Sequence, residues 1–181
     1  MPIDMKLVIS GQFKELVRRG NVDKITVTAL IEECHISRQT FYYHFQDIND
    51  VMEWSVRRET EQLLRQSLEL PQLRCGLELL IAHTAGQFDV LNKLLCSHRR
   101  QCFTDALTAC VRVFLNGLLE RFRPDFAVNQ PDREVFLDYN SRALTGVLLD
   151  YGDRRELDAA RLSAQLERIL LRQLAEPLEE M

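Results

Sequence analysis

Between its few breakers this chain places apolar residues three and four apart, not in alternation, and that interval is the spacing of one face of a helix. Only 7 Gly and 5 Pro interrupt 181 residues, so the helical segments are long and the stops between them are legible. The reading is an all-α protein of about nine helices. The first is expected from about Asp4 to Arg19, where Met5, Ile9, Phe13 and Leu16 share a face and Gly20 stands where a C-terminal cap belongs. Gly11 inside that helix implies another backbone close by.

After "NVDK" come two short helices. Thr26 can cap one from Val27 to about Cys34, and Ser37 can cap another from Arg38 to about His44, with His35 and Ile36 between them. A helix under about 12 residues is marginal without tertiary packing, so both must lean on the first. Asp47 then caps a long helix that stops near Pro71. Further helices are expected at about 72–85, 88–96, 99–123, 131–151 and 154–175. Pro131 suits a first turn, and Asp153 with Glu156 resembles a capping box feeding the last helix. The last two helices are apolar on more than one stripe: Val135, Phe136, Tyr139, Ala143, Val147 and Leu148 in one, Leu162, Leu166, Ile169, Leu170 and Leu174 in the other. A single core seldom needs so wide a face, so one stripe is expected to meet a second subunit. The alternative is that both pack within one bundle.

The N-terminus, "MPIDMKLVIS", has no signal-peptide pattern, and no run approaches about 18 uninterrupted apolar residues. A cytoplasmic protein with no membrane segment is expected. Five cysteines, an odd count without CxxC, argue against a secreted disulfide framework and read mostly as small buried hydrophobes. The net charge is -4 overall, and residues 1–60 hold 8 Lys+Arg against 9 Asp+Glu. A nucleic-acid footprint, if present, must therefore be local.

Such a footprint is legible in "CHISRQTFYYHF", residues 34–45. Two short helices joined by a tight turn and packed on a preceding helix describe a helix-turn-helix, whose second helix enters the DNA major groove. Ile31, Ile36, Phe41 and Phe45 take the inward positions with Leu30 and Val27 behind them, leaving Arg38, Gln39, Thr40, Tyr42, Tyr43 and His44 outward. Arg38 can pair with guanine, Gln39 with adenine, and Thr40 can meet a thymine methyl or an acceptor. Tyr42, Tyr43 and His44 can donate to phosphates, and Thr26 and Ser37 bring helix N-termini, whose amides bind anions. Residues 34–46 contain no acid, although acids hold 27 of 181 positions; carboxylates would repel phosphates. A Tyr-rich short helix can also be ordinary packing. His35 falls where a positive φ usually calls for glycine.

The block "ITVTALIEECHISRQTFYYHFQDINDVMEW" resembles the DNA-binding segment of the TetR/AcrR family of bacterial transcriptional regulators, over roughly residues 4–55. "FYYHFQDINDVMEW" and "YNSRALTGVLLDYG" are similar to a subgroup that includes activators of dihydroxyacetone-kinase operons. The resemblance implies phosphate or base contacts at Thr26, Thr28, Ser37, Arg38, Gln39, Thr40, Tyr42, Tyr43 and His44. It implies a DNA-binding domain at 1–48, and an effector and dimerisation domain at 49–181 that pairs through the last two helices. Two departures stand out: His35 replaces the usual glycine, and Ile48 falls where many members place a phosphate-binding lysine, which predicts a salt dependence weaker by about one phosphate.

In "LLCSHRRQCF" the residues Cys96, His98, Arg99, Arg100 and Cys102, with His83 earlier, could form a metal or redox site, but CxHxxxC is not a standard ligand spacing and no metal is expected. Arg99 and Arg100 are the candidates for holding an anionic effector, small molecule or protein. There is no Gly-rich phosphate loop, GxSxG or HExxH, so neither an enzyme nor a cofactor is expected. The expected function is a homodimeric, effector-controlled regulator on a palindromic operator; the competing one is a protein-interaction module on the same fold that has lost its operator.

Overall fold

The computed structural model describes residues 4–124, 129–152 and 157–175, with backbone alone at 174 and 175. Among them the chain is all-α: α1 Met5–Arg19, α2 Val27–Cys34, α3 Arg38–His44, α4 Ile48–Leu68, α5 Leu73–Gly86, α6 Phe88–Leu95, α7 Arg100–Phe122, α8 Gln130–Gly152 and α9 Ala159–Ala175. A 3-10 turn at Val22–Lys24, which periodicity does not reveal, precedes α2. The Asp153–Glu156 capping box lies outside the described residues. At the described start of α9, Leu157 and Asp158 are not helical, and Asp158 caps by accepting the Arg161 N–H at 2.9 Å.

The chain divides into two compact units. The first comprises Met1–Glu59 and Gln87–Leu107, the second Thr60–Gly86 and Thr108–Met181.

In the first unit a core of Ile9, Phe13, Val17, Leu30, Phe41, Phe45, Val51, Met52 and Phe103 is at most 2% exposed. The α1 face is rotated slightly from the expected one: Val17 is fully buried, while Met5 and Leu16 pack at the margin. Gly11 departs from expectation. A Cβ built there meets nothing within 4 Å, so no neighbouring backbone requires the glycine. The cysteines also depart: Cys110 is buried, but Cys34, Cys75 and Cys102 are half-buried and Cys96 is exposed. Cys96 sits at the end of α6, and Cys102 turns toward the Glu53 carboxylate, Sγ to Oε1 3.2 Å. Burial first, then Glu53, pushes the Cys102 thiol up to about 11.

In the second unit α5 packs on α8 and α9. Leu77, Leu80 and Ile81 of α5, Leu137, Leu144 and Leu148 of α8, and Leu162, Leu166 and Leu170 of α9 are buried. A Cβ at Gly76 would stand 2.9 Å from a Leu118 methyl, so any larger residue there needs that side chain to shift. α7 is long and apolar enough, by length and composition, to pass for a membrane span. Its Phe103, Val111, Phe114, Leu115, Leu118 and Leu119 are buried core residues. Arg112 on the same helix bonds Asp138 at 2.9 Å and also Glu134, both on α8.

The outer stripe of α8 is not absorbed by this unit. Val135 and Tyr139 are 69% and 63% exposed, whereas the buried side of the helix holds Asn140, Ser141 and Thr145 among its leucines. Packing both stripes within one bundle, the alternative reading, does not describe α8.

Replacing Gly11 with Ala is expected to stabilise the protein by about 0.5–1 kcal/mol, by removing glycine's unfolded-state freedom from a helix interior with open space around it. Urea denaturation at unchanged m-value measures it; a loss of stability would mean that the site is crowded after all.

Candidate nucleic-acid interface

The α2–turn–α3 segment is fixed first by its own hydroxyls. Thr26 Oγ1 accepts the Ala29 N–H at 3.1 Å, so α2 starts where its cap dictates. The Ser37 hydroxyl accepts the Thr40 N–H at 3.0 Å and shares a 2.8 Å hydrogen bond with the Thr40 hydroxyl. Between the helices His35 adopts φ 52°, ψ 42°, the left-handed region, and is the positive-φ non-glycine residue among those described. This geometry lets the Ile36 N–H return to the Ile31 carbonyl at 3.2 Å and reverse the chain.

Packing then assigns the faces of α3. Phe41 is fully buried and Phe45 nearly so, with their ring centroids 6.2 Å apart. On the far side Arg38, Gln39, Tyr42 and Tyr43 are exposed, Tyr43 by 84%, while Thr40 and His44 are half-buried. Neither tyrosine is loose. Tyr42 stands edge-on to Phe41 at 5.4 Å, and Tyr43 edge-on to His44 at 4.9 Å. Thr28, exposed on α2, accepts a hydrogen bond from Arg38 Nη2 at 3.2 Å.

The acids that follow α3 are engaged. Asp47 caps α4 by accepting the Asp50 N–H at 2.9 Å, and Asp50 reaches back to the Gln46 N–H at 2.9 Å. Both carboxylates thus serve a helix N-terminus, where negative charge is favourable. Ile48 is 4% exposed and part of the core, so the start of α4 presents no cation at that position.

The end of α6 and the segment after it dock on this module, and nothing in their local pattern announces it. Lys93 donates to the Val17 carbonyl at 3.1 Å and to that of Arg18, which closes the C-terminus of α1. The His98 N–H meets Asp23 Oδ1 at 2.9 Å, and its Nδ1 lies 3.0 Å from Oδ2. The backbone bond from His98 is the main reason that the Asp23 carboxyl is held below the usual 3.8. Arg99 donates to the Asn49 Oδ1 at the start of α4. Of the two effector candidates, Arg99 is therefore engaged in this unit, and Arg100 is exposed. In the second unit an open groove of about 460 Å³ lies between α8 and α9, with Tyr151, Leu166 and Ile169 along it and Arg168 and Arg172 at its side. Among the described residues, no three of His, Cys, Asp and Glu converge as metal ligands would.

His35→Gly is expected to raise stability by about 0.5–1 kcal/mol. It relieves a left-handed strain of about 1–2 kcal/mol at the cost of glycine's larger unfolded-state entropy. Thermal unfolding of the two forms checks it, and a lower melting temperature for the glycine form would contradict the turn geometry.

No protein-family model and no curated protein sequence matches the chain. Several solved structures resemble it, three of them as follows. "Dihydroxyacetone kinase operon activator DhaS" aligns over 94% of this chain and 96% of its own, at TM-score 0.68 and 18% identity. The fatty acid degradation regulator FadR from Bacillus halodurans aligns over 98% and 100%, at 0.59 and 14%. A chain from Pseudomonas aeruginosa PAO1, described as a transcriptional regulator, aligns over 96% and 91%, at 0.60 and 15%. At these identities the likeness is one of fold, and the all-helical architecture is shared along nearly the whole chain.

Proposed function

We propose that the protein is a DNA-binding transcriptional regulator of the TetR/AcrR type, with residues 1–48 reading the operator and 49–181 binding an effector and a second copy. The observation that carries it is the outer side of α3. A helix of seven residues commits Phe41, and the Phe45 that caps its end, to the core and offers Arg38, Gln39, Tyr42 and Tyr43 outward, with no acid among residues 34–46. An arginine, an amide and two phenols are the groups that meet base edges and phosphates. Support of a second kind comes from the solved structures that share the fold, whose titles name a kinase-operon activator and a fatty-acid-degradation regulator. A cytoplasmic location goes with this reading.

Two such heads on a twofold dimer would read half-sites about 34 Å apart, or a multiple of that spacing. The exposed Val135 and Tyr139 of α8 and Ile169 of α9 are the apolar surface assigned to the dimer. An effector acts by binding one arrangement of the heads better than another. The competing reading, an interaction module that has lost its operator, draws on Ile48, since its burial withholds one phosphate contact.

Footprinting on the protein's own promoter region tests the proposal. Arg38→Ala is expected to cost about tenfold or more in operator affinity and to relax the base preference at one position per half-site. Tyr42→Ala should weaken all duplexes alike and leave the salt slope nearly unchanged, because a neutral phenol releases no counterion. Unchanged DNA affinity in both variants would favour the interaction module.

Tyr139→Glu places a charge on the outer stripe of α8 and is expected to give a folded monomer in light scattering. A dimer that survives it would move the interface elsewhere.

A further inference from the structure

Thr28 stands on the first turn of α2, ten residues before Arg38, and its hydroxyl accepts a hydrogen bond from Arg38 Nη2 at 3.2 Å. Both side chains are exposed, so burial does not force them together. The bond joins the capping helix to the reading helix at the point where α3 begins. Arginine has five N–H donors, and one is used here, which leaves four in the guanidinium plane. Thr28 keeps its own hydroxyl proton for a further acceptor.

The remaining outward groups of α3 are held differently. The Thr40 hydroxyl is shared with Ser37, and Tyr42 and Tyr43 are steadied by ring edges and not by hydrogen bonds. Gln39 has no side-chain partner among the described residues, so it is free to follow whichever base it meets. Arg38 is thus the outward hydrogen-bonding group of α3 whose direction is set from another element before any duplex arrives.

Resting on the DNA-binding reading above, we propose that Thr28 is a positioning residue for specificity: it aims Arg38 at one guanine in each half-site, and does not serve mainly as a phosphate contact. An arginine on a flexible stem pays in rotamer freedom to form a planar two-bond contact, and a fixed acceptor removes part of that cost in advance. The effect falls on discrimination between bases, because only the correct base matches the planar fork. A phosphate contact would instead act on every sequence alike.

The experiment uses the full chain and double-stranded DNA selected from a randomised pool, followed by competition between the selected site and versions altered one base pair at a time. Arg38→Ala is expected to abolish the preference for guanine at one position in each half-site. Thr28→Val, which keeps the shape and removes the acceptor, should reduce the preference at that same position about tenfold, with other positions and the salt slope unchanged. Thr28→Ala should do the same, and Thr28→Ser should retain most of the wild-type discrimination. If Thr28→Val and Thr28→Ala discriminate like the wild type, or lose affinity equally on every sequence, the positioning role is wrong while operator binding stands. If the wild type enriches no sequence from the pool, both readings fall together.

Discussion

The seat of Phe41 and Phe45 in the core of the first unit is the contact on which the rest depends. A seven-residue helix has no independent stability in water, and the first turn of α3 is held by the Ser37 cap and the exposed Arg38–Thr28 hydrogen bond. Burying a phenylalanine contributes about 1.5–3 kcal/mol, so two of them outweigh the strain of about 1–2 kcal/mol that His35 incurs in the left-handed turn. The same packing fixes orientation. With residues 41 and 45 pointing in, one turn apart, residues 38, 39, 42 and 43 have no direction left but outward.

What surrounds that seat adds precision. Lys93 holds the end of α1, His98 holds the turn at Asp23, and Arg99 holds the start of α4. Three elements of the small module are tied by one stretch of seven residues, two of its ties resting on charged side chains and one chiefly on a backbone N–H. Such bonds are individually modest. They constrain angles and not overall stability, as suits a module whose outward helix must present several groups in fixed relative positions.

The first 60 residues were legible because their signals are local. Thr26, Ser37 and Asp47 each accept a backbone N–H three residues on, as caps should, and the positive φ at position 35 follows from the length of the turn. What was not legible depends on partners far along the chain. The docking of residues 93–99 spans 75 residues or more for Lys93 and His98 and leaves no periodic trace. Gly11 misled for the opposite reason: a helical glycine often marks a close approach, but here the approach is absent. The cysteines misled because their size permits burial without requiring it. Side-chain chemistry alone marks the proposed contact residues, and the hydrogen bond between Thr28 and Arg38 leaves no trace in spacing, since it depends on how α2 crosses α3.

α8 shows a limit of a different kind. Its sequence offers two sides, one carrying Val135, Tyr139 and Ala143, the other Leu137, Asn140, Ser141, Leu144, Thr145 and Leu148. Hydropathy alone would bury Val135 and Tyr139 before Asn140 and Ser141, yet the fold does the reverse. The buried polar groups are tolerable because each finds a carbonyl within its own helix: Asn140 donates to Phe136, Ser141 to Asp138 and Thr145 to Ser141. A hydroxyl that bonds back in this way is nearly as inert as a methyl group. The outer stripe has no such reason to be apolar where water is its only neighbour, since exposed valine and tyrosine gain nothing there. An inner face neutralised by its own backbone and an outer face left apolar are together the arrangement expected of a helix with a protein neighbour on each side.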